Sequence, residues 1–441
     1  MKHLFGTLCL LAALPAGAMA QTRPNPLTDA DFRQHSEAEV KLGQLLFWDA
    51  ELSGNRNISC GTCHHPRFGT GDGVSLSLGE GGIGLGPERK PDPANLPEQR
   101  IPRNAPGLFN LGILDLRTIF HDGRIEADPA RPSGLRTPLE DEMVVGFASL
   151  LSAQSMFPVL SPDEMAGHYQ ENEISKAVRQ GRLTGPDGAW EAIAARIQAI
   201  PAYQEMFEAA YPAIKAGEPI HFTDISNAIA AFITVEWRAD GSVYDGWLRG
   251  DAELPPLAAE GAALFYGEAG CSACHSGPLL TDQAFHAMGA PQLGPGKAER
   301  FEAHQRDIGR KRVTNRTEDA YAFRTPSLRN VLATAPYGHA GGHSDLRAFV
   351  IDHATPVAAL EAYQPQAILP AFDPAKPDWA VMQSGEERAA IAANVRGPSR
   401  TLQAAETDAI LAFLGTLTDQ AAIDGRMGIP LTVPSGLPID R

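Results

Sequence analysis

Four cysteines stand in two identical spacings, Cys60-Gly61-Thr62-Cys63-His64 and Cys271-Ser272-Ala273-Cys274-His275. Two thiols separated by two residues, with an imidazole directly behind them, are what covalent haem attachment needs. Each thiol adds to a porphyrin vinyl group, and the histidine reaches the iron from one side. With 5 Cys and 13 His in 441 residues, such a pentapeptide arises by chance on the order of 10⁻³ times in the chain. Two copies therefore point to two covalently bound haem c groups, attached at Cys60, Cys63, Cys271 and Cys274, with His64 and His275 as the first iron ligands. A zinc site would bring Cys and His in closely paired sets without an obligatory trailing histidine, and redox disulfides would not need the histidine.

The fifth cysteine, Cys9, lies in a different setting. Lys2 is followed by an apolar stretch from Leu4 to Leu14 and then by Ala18-Met19-Ala20, the layout of a signal peptide at residues 1–20 cleaved near Ala20. Cys9 leaves with it. The apolar run is too short to span a bilayer, no later segment is long and apolar enough, and Cys9 lacks the preceding small residue of a lipidated cysteine, so no stable membrane anchor is expected. Export places the chain in the periplasm, where c-type haems are assembled. The chain is acidic, with 53 Asp and Glu against 37 Lys and Arg for a formal charge of -16, which argues against nucleic acid and for a basic partner.

Each attachment motif sits in a repeated frame. Gly43-Gln44-Leu45-Leu46-Phe47 precedes the first and Gly261-Ala262-Ala263-Leu264-Phe265 the second, each within an amphipathic helical stretch able to pack on a haem face. Between the motifs the Ala-rich segment Phe222 to Trp237 reads as helix, with Ile225, Ile229, Phe232 and Ile233 at helical spacing. The 43 glycines and 35 prolines exceed the usual share and predict much loop. The expected fold is mainly α and loop-rich, two cytochrome c-like haem domains in tandem. The first covers residues 21–239 with an insertion at about 125–150, and the second covers residues 240–441 with a C-terminal tail; the boundary lies near Ala239-Asp240-Gly241.

Further blocks surround the two haem motifs in order. They are Leu42-Gly43 with Leu46-Phe47-Trp48-Asp49 and Leu52-Ser53, Arg103-Asn104-Ala105-Pro106, Asp122-Gly123-Arg124, Glu164-Met165, Asp307-x-Gly309-Arg310, Thr325-Pro326-Ser327-Leu328-Arg329-Asn330 and Thr334-Ala335-Pro336-Tyr337. Through them the chain resembles the bacterial dihaem cytochrome c peroxidase family, which includes the MauG-type enzymes, from about Leu42 to about Leu417. The resemblance implies that the amino-terminal haem is the peroxide site and that the carboxy-terminal haem takes electrons from a donor. It also implies a Gln and, ten residues on, a Glu followed by Met beside the peroxide; Gln154 and Glu164-Met165 match that spacing, with Pro158 in register. Glu164 would shuttle the proton and Gln154 would orient the peroxide. From the residues alone, Glu164 after Ser161-Pro162-Asp163 also fits a helix cap. A Ca²⁺ between the domains is implied as well, held by the Asn104 side chain and the Thr334 and Pro336 carbonyls. A turn-stabilising Asn without metal fits the same residues.

Three departures from the family pattern bear on mechanism. Where peroxidases with a distal His on the first haem carry Ser-x-Gly-His, this chain has Ser77-Leu78-Gly79-Glu80, so the first haem is expected to need no reductive unlocking. Where many members have a Trp between the haems, this chain has His121 in Phe120-His121-Asp122-Gly123-Arg124. Imidazole is much harder to oxidise than indole, which leaves His121 as an inter-haem bridge through polar contacts or as a histidine with no redox part. Finally, counting from Tyr337 places His353 where the family has Met or Tyr as the second haem's sixth ligand, with His339 and Met288 as competing candidates. Two imidazoles favour the ferric state relative to a His/Met pair.

The function so implied is that of a periplasmic cytochrome-c peroxidase, reducing hydrogen peroxide to water with electrons from a small redox protein, a cytochrome c or cupredoxin. Its acidic surface should speed encounter with a basic donor, and the effect should fade with salt. Family members are often dimers, so a homodimer is implied too. Two other readings stay open: a MauG-type oxidase acting on a protein substrate, which the missing distal His suits and His353 and His121 do not, and a non-enzymatic dihaem electron carrier.

Overall fold

The computed structural model describes residues 23–298, 302–374 and 376–441; the expected signal peptide and Cys9 lie outside them. Helix dominates, as the composition and spacing predict, and strand is confined to short antiparallel ladders. Six helices position the candidate site: α1 (Glu37–Trp48), α2 (Leu150–Ser155), α3 (Phe222–Glu236), α4 (Pro256–Tyr266), α5 (Leu346–Ala354) and α6 (Ala404–Gly415). Their starts follow from local chemistry. The Ser36 hydroxyl accepts the Glu39 N–H at 3.2 Å, and the Asp345 carboxylate accepts the Ala348 N–H at 2.8 Å; both satisfy donors that the first helical turn leaves open. At the start of α4, Pro256 costs no hydrogen bond because its missing N–H would be unpaired there anyway.

The repeated Gly-x-x-x-Phe frame turns out to be a helix-crossing device. Gly43 lets α1 approach α3 so closely that a Cβ there would overlap the Ala228 carbonyl and stand 2.9 Å from the Phe232 Cβ. Gly261 does the same for α4 against α6, where a Cβ would overlap the Ala409 carbonyl and stand 2.9 Å from the Phe413 Cβ. The phenylalanines complete each crossing: Phe47 meets Phe232 with ring centroids 5.3 Å apart, and Phe265 meets Phe413 at 5.1 Å. Interiors packed near crystal density do not absorb an added methyl at such a contact. Gly43→Ala and Gly261→Ala are each expected to cost about 1–3 kcal/mol by overpacking, seen as a lower urea midpoint than wild type.

Two main cores result. The first gathers α1, α2 and α3 around Trp48, Trp190 and Trp237, and the second gathers α4 and α6 around Tyr244, Leu280 and Tyr337. The four apolar residues noted in Phe222–Trp237 are buried and close the first core. The carboxy-terminal tail leaves the second core and returns to the first. There the Glu236 carboxylate accepts the N–H groups of Arg426, Met427 and Gly428 at 3.0, 2.6 and 2.9 Å, and the Thr62 hydroxyl donates to Asp440 at 2.5 Å. Part of the segment expected as an insertion is ordered: Ile125–Ala127 pairs with Thr118–Ile119 on one side and Leu135–Arg136 on the other.

Between the cores sits a buried ion cluster. The Arg103 guanidinium reaches Asp122 at 2.7 Å and grips Asp307 through two bonds of 2.7 and 2.8 Å. Burial works against ionising these carboxyls, but Arg103 outweighs it. Asp122 is left at about 2 and Asp307 well below the ordinary carboxylate range. Arg310 ties the cluster to the small ladder, donating to the Gly123 carbonyl at 2.7 Å and to Glu126 at 2.5 Å. A buried charge network of this kind is costly to break from one side, because the surviving partner is left uncompensated.

Candidate functional site

Each attachment motif folds into a single tight turn that ends on its histidine. His64 N–H closes the first turn on the Cys60 carbonyl at 2.9 Å, and His275 N–H closes the second on the Cys271 carbonyl at 3.0 Å. The ring nitrogens follow the same parallel. Nδ1 of His64 donates to the Thr70 carbonyl at 2.9 Å, and Nδ1 of His275 donates to the Leu280 carbonyl at 3.1 Å. Fixing Nδ1–H in this way leaves Nε2 as the lone-pair nitrogen, oriented for a metal. Burial lowers both imidazoles below their ordinary value, which keeps them neutral and ligand-competent.

Above the second motif lies a cavity of ≈ 350 Å³ lined by Cys271, Cys274, His275 and His353. His353 projects from the last turn of α5, half-buried, with its ring stacked on Phe349 at 5.3 Å. Its ring centroid lies 6.4 Å from that of His275. Two metal–imidazole bonds of about 2 Å, with roughly 1 Å from each nitrogen to its ring centre, add to roughly 6 Å. The pair therefore fits one iron held between them. The competing candidates line the same cavity: His339 stacks on Phe323 with centroids 3.7 Å apart and neither of its ring nitrogens has a hydrogen-bond partner among the described residues, and the Met288 thioether packs against Gly397.

Glu164 sits half-buried in the wide turn Pro162–Ala166, and desolvation holds its carboxyl above the ordinary range; Lys297 and Arg124 pull it down, and Asp163 adds to the rise. The Glu164 backbone packs on Gly79, where a Cβ would stand 3.1 Å from the Glu164 Cα, and Gly79 follows two residues after Ser77, whose hydroxyl is 4.0 Å from the Cys63 sulfur. The turn is pinned on both sides. The Asp163 carbonyl accepts the Glu80 N–H at 2.9 Å, and the Met165 carbonyl accepts the Gly54 N–H at 2.7 Å. Gln154 occupies the last turn of α2, half-buried. Glu80, where a distal histidine would stand, is tied down: its Oε1 accepts amide N–H bonds from Asn55, Asn57 and Asn95 at 2.9, 2.8 and 2.8 Å.

His121, His339, Asn104, Thr334 and Pro336 lie together at the junction and line the second-motif cavity. His121 Nε2 donates to the Asn104 carbonyl at 3.1 Å, and burial, helped by Arg103, pushes this imidazole down to about 4, so it is neutral. Asn104 Nδ2 donates to the Val74 carbonyl at 2.8 Å, which fixes the amide and turns its oxygen the other way. The Ala335–Pro336 peptide is cis. Asn104, Thr334 and Pro336 all line the cavity. Three features escape sequence reasoning. The asparagines around Glu80 and the return of the tail are contacts between distant segments. Lys297 stands in a Gly-Pro-Gly-Lys loop with no motif to mark it.

Comparison with known proteins places these features in company. Residues 37–253 match the family described as di-haem cytochrome c peroxidase. The methylamine utilization protein MauG of Methylorubrum extorquens is 30% identical over 352 residues, covering 78% of this chain and 75% of the relative. Cytochrome c551 peroxidase of Pseudomonas aeruginosa is 29% identical over 326 residues, covering 74% of each. Among solved structures, a MauG-like protein associated with microbial copper homeostasis aligns with a TM-score of 0.58 at 26% identity, covering 93% of this chain and 97% of that one.

Proposed function

Since this chain belongs to the di-haem cytochrome c peroxidase family, an enzyme family whose members include MauG-like proteins, and so carries two covalently bound haem c groups, we propose that it reduces hydrogen peroxide to water in the periplasm with electrons from a small cytochrome c or cupredoxin. The observation that carries the reading is the placement of an acid–base group, Glu164, on Gly79 close to the Ser77–Cys63 contact of the first attachment motif, while Glu80 is engaged by three asparagine amides. When bound, the two haems supply an iron that takes peroxide and a second iron that stores and passes on an electron. The chain's own residues do the rest. Glu164 accepts the peroxide proton and returns it to the departing oxygen, and Gln154 orients the peroxide. His64 would ligate the first iron, and His275 and His353 would ligate the second. His121 spans the junction as a polar bridge, and Asn104, Thr334 and Pro336 hold Ca²⁺ there. The two halves act as tandem haem domains.

Because no distal ligand is released before peroxide can bind, the fully oxidised holoenzyme is expected to react with peroxide without prior reduction. Rapid mixing of diferric enzyme with peroxide, with and without reduced cytochrome c, tests this. Continuous turnover only with the donor is expected. A long-lived oxidised enzyme that persists without donor and then oxidises an added protein would favour the MauG-type reading, which the relative at 30% identity supports. A first haem that is six-coordinate and low-spin in both oxidation states would leave only an electron carrier.

A further inference from the structure

Among the described residues, the cavity above the second attachment motif is lined by three arginines, Arg324, Arg329 and Arg400, and by no aspartate or glutamate. Charge balance there depends on carboxylates behind the wall or on an anion that the occupant brings. Two of the arginines have the first kind of partner. Arg329 Nη1 donates to both Asp245 oxygens at 2.7 Å, and Arg400 Nη2 donates to Glu406 at 2.7 Å. Arg324 differs: among the described residues no carboxylate stands within ion-pair distance of it. Its side chain makes two long hydrogen bonds, from Nε to the Phe120 carbonyl and from Nη1 to the Thr325 carbonyl, each at 3.4 Å, and Nη2 makes none. Burial pushes this guanidinium down to about 10, with no carboxylate opposing the fall. The backbone beneath it is fixed from both halves of the chain. Arg324 N–H donates to the His121 carbonyl at 2.8 Å, and the residue pairs with Phe285 in a short antiparallel ladder.

We propose that Arg324 anchors a carboxylate of the second haem and ties that edge of the porphyrin to the first half of the chain beside His121. The chemistry of the group supplies the missing anion. Thioether bonds to Cys271 and Cys274 use the two vinyl groups, and the two propionates leave from the opposite edge of the ring. A propionate enclosed with its porphyrin is costly unless it is paired. A guanidinium without a carboxylate is suited to that task, because its planar fork donates two N–H bonds to one carboxylate. Asn104 and His121, both from the first half, line the same cavity, so a propionate held by Arg324 lies against the junction between the halves. The cation also offsets a negative charge close to the iron, which favours the ferrous state. The proposal rests on the second haem filling this cavity and not on which residue is its sixth ligand, so a failed His353→Ala prediction leaves it standing.

Two measurements on the holoenzyme test it, neither of them turnover. One is the set of propionate bending bands in the resonance Raman spectrum of the second haem, which respond to hydrogen bonding at the haem carboxylates. The other is the midpoint potential of that haem from an equilibrium redox titration. In Arg324→Met the bands should shift, and the ferric-to-ferrous ratio of the second haem at a fixed potential should rise about tenfold, a fall of about 59 mV in the midpoint. Arg324→Lys should hold the potential near wild type while still shifting the bands, because an ammonium keeps the charge and loses the fork. Arg324→Gln, a smaller and still polar change, should repeat the Arg324→Met result and replaces it if the methionine variant does not fold. Bands that stay at their wild-type positions in both neutral variants overturn the proposal even if the potential falls, since Arg324 would then act only as a distant charge. So does a band shift confined to Arg400→Met, which would give the carboxylate to Arg400 through Nη1, unpartnered among the described residues.

Discussion

Glu164→Gln is expected to slow the reaction of the holoenzyme with peroxide by roughly 10²–10⁴-fold, the usual contribution of a placed acid–base group, while both haem spectra stay as in wild type. The amide matches the carboxyl in size, and the turn that carries it is held by its own backbone. The bonds from Glu80 N–H to the Asp163 carbonyl and from Gly54 N–H to the Met165 carbonyl do not involve the Glu164 side chain. The loss should therefore be chemical rather than structural. The pH dependence has a defined sign. Burial raises this carboxyl above its usual value, so the wild-type rate falls as pH drops through that raised value, and the Gln variant shows no such limb. Stability moves the opposite way. A carboxyl raised in the folded state binds more protons there than in the unfolded chain, so it costs stability above its unfolded pKa of about 4.3. At pH 7 the Gln variant should be at least as stable as wild type to urea, and below about pH 4 the difference should vanish. A variant that is both slow and less stable at pH 7 would mean that Glu164 is structural.

What could be read from residue order, and what could not, divides along contact range. The attachment turns are legible because their chemistry needs contiguous residues: Cys60, Cys63 and His64 share one turn closed by a single hydrogen bond, and nothing distant is required to form it. The Gly43 and Gly261 frames are legible as a repeat, yet their purpose is not, since the overlap with Ala228 and Ala409 depends on helices far along the chain. Glu80 shows why a departure alone is incomplete. Its identity removes a ligand, but only folding shows Asn55, Asn57 and Asn95 converging on it, two of them from one loop and the third from another. The Arg103 cluster lies between: its members fall in recognisable blocks, but their pairing across the junction does not.

Replacing His353 with alanine is expected to convert the second haem of the oxidised holoenzyme from low-spin with two imidazoles to high-spin, and to lower donor-driven peroxide turnover on the order of 10²-fold or more. The argument is geometric. The 6.4 Å between the His275 and His353 rings is the span that a single iron fills. His353 is held there by the α5 backbone and by its stack on Phe349, so it needs no rearrangement to bind. Neither neighbour substitutes easily. His339 is committed to its 3.7 Å stack on Phe323, and Met288 would have to leave its packing against Gly397. Electron paramagnetic resonance of wild type and variant reads the change directly. His353→Met provides the complementary result: six-coordination returns, and because a thioether stabilises the ferrous state relative to the ferric one more than an imidazole does, the potential of the second haem should rise on the order of 0.1 V. Peroxide should still react with the first haem in both variants, since His353 lines the cavity of the second attachment motif. A low-spin signal that survives His353→Ala would transfer the sixth position to Met288 or His339. A wild-type turnover rate in the same variant would mean that electrons reach the first haem without the second iron being held from both sides.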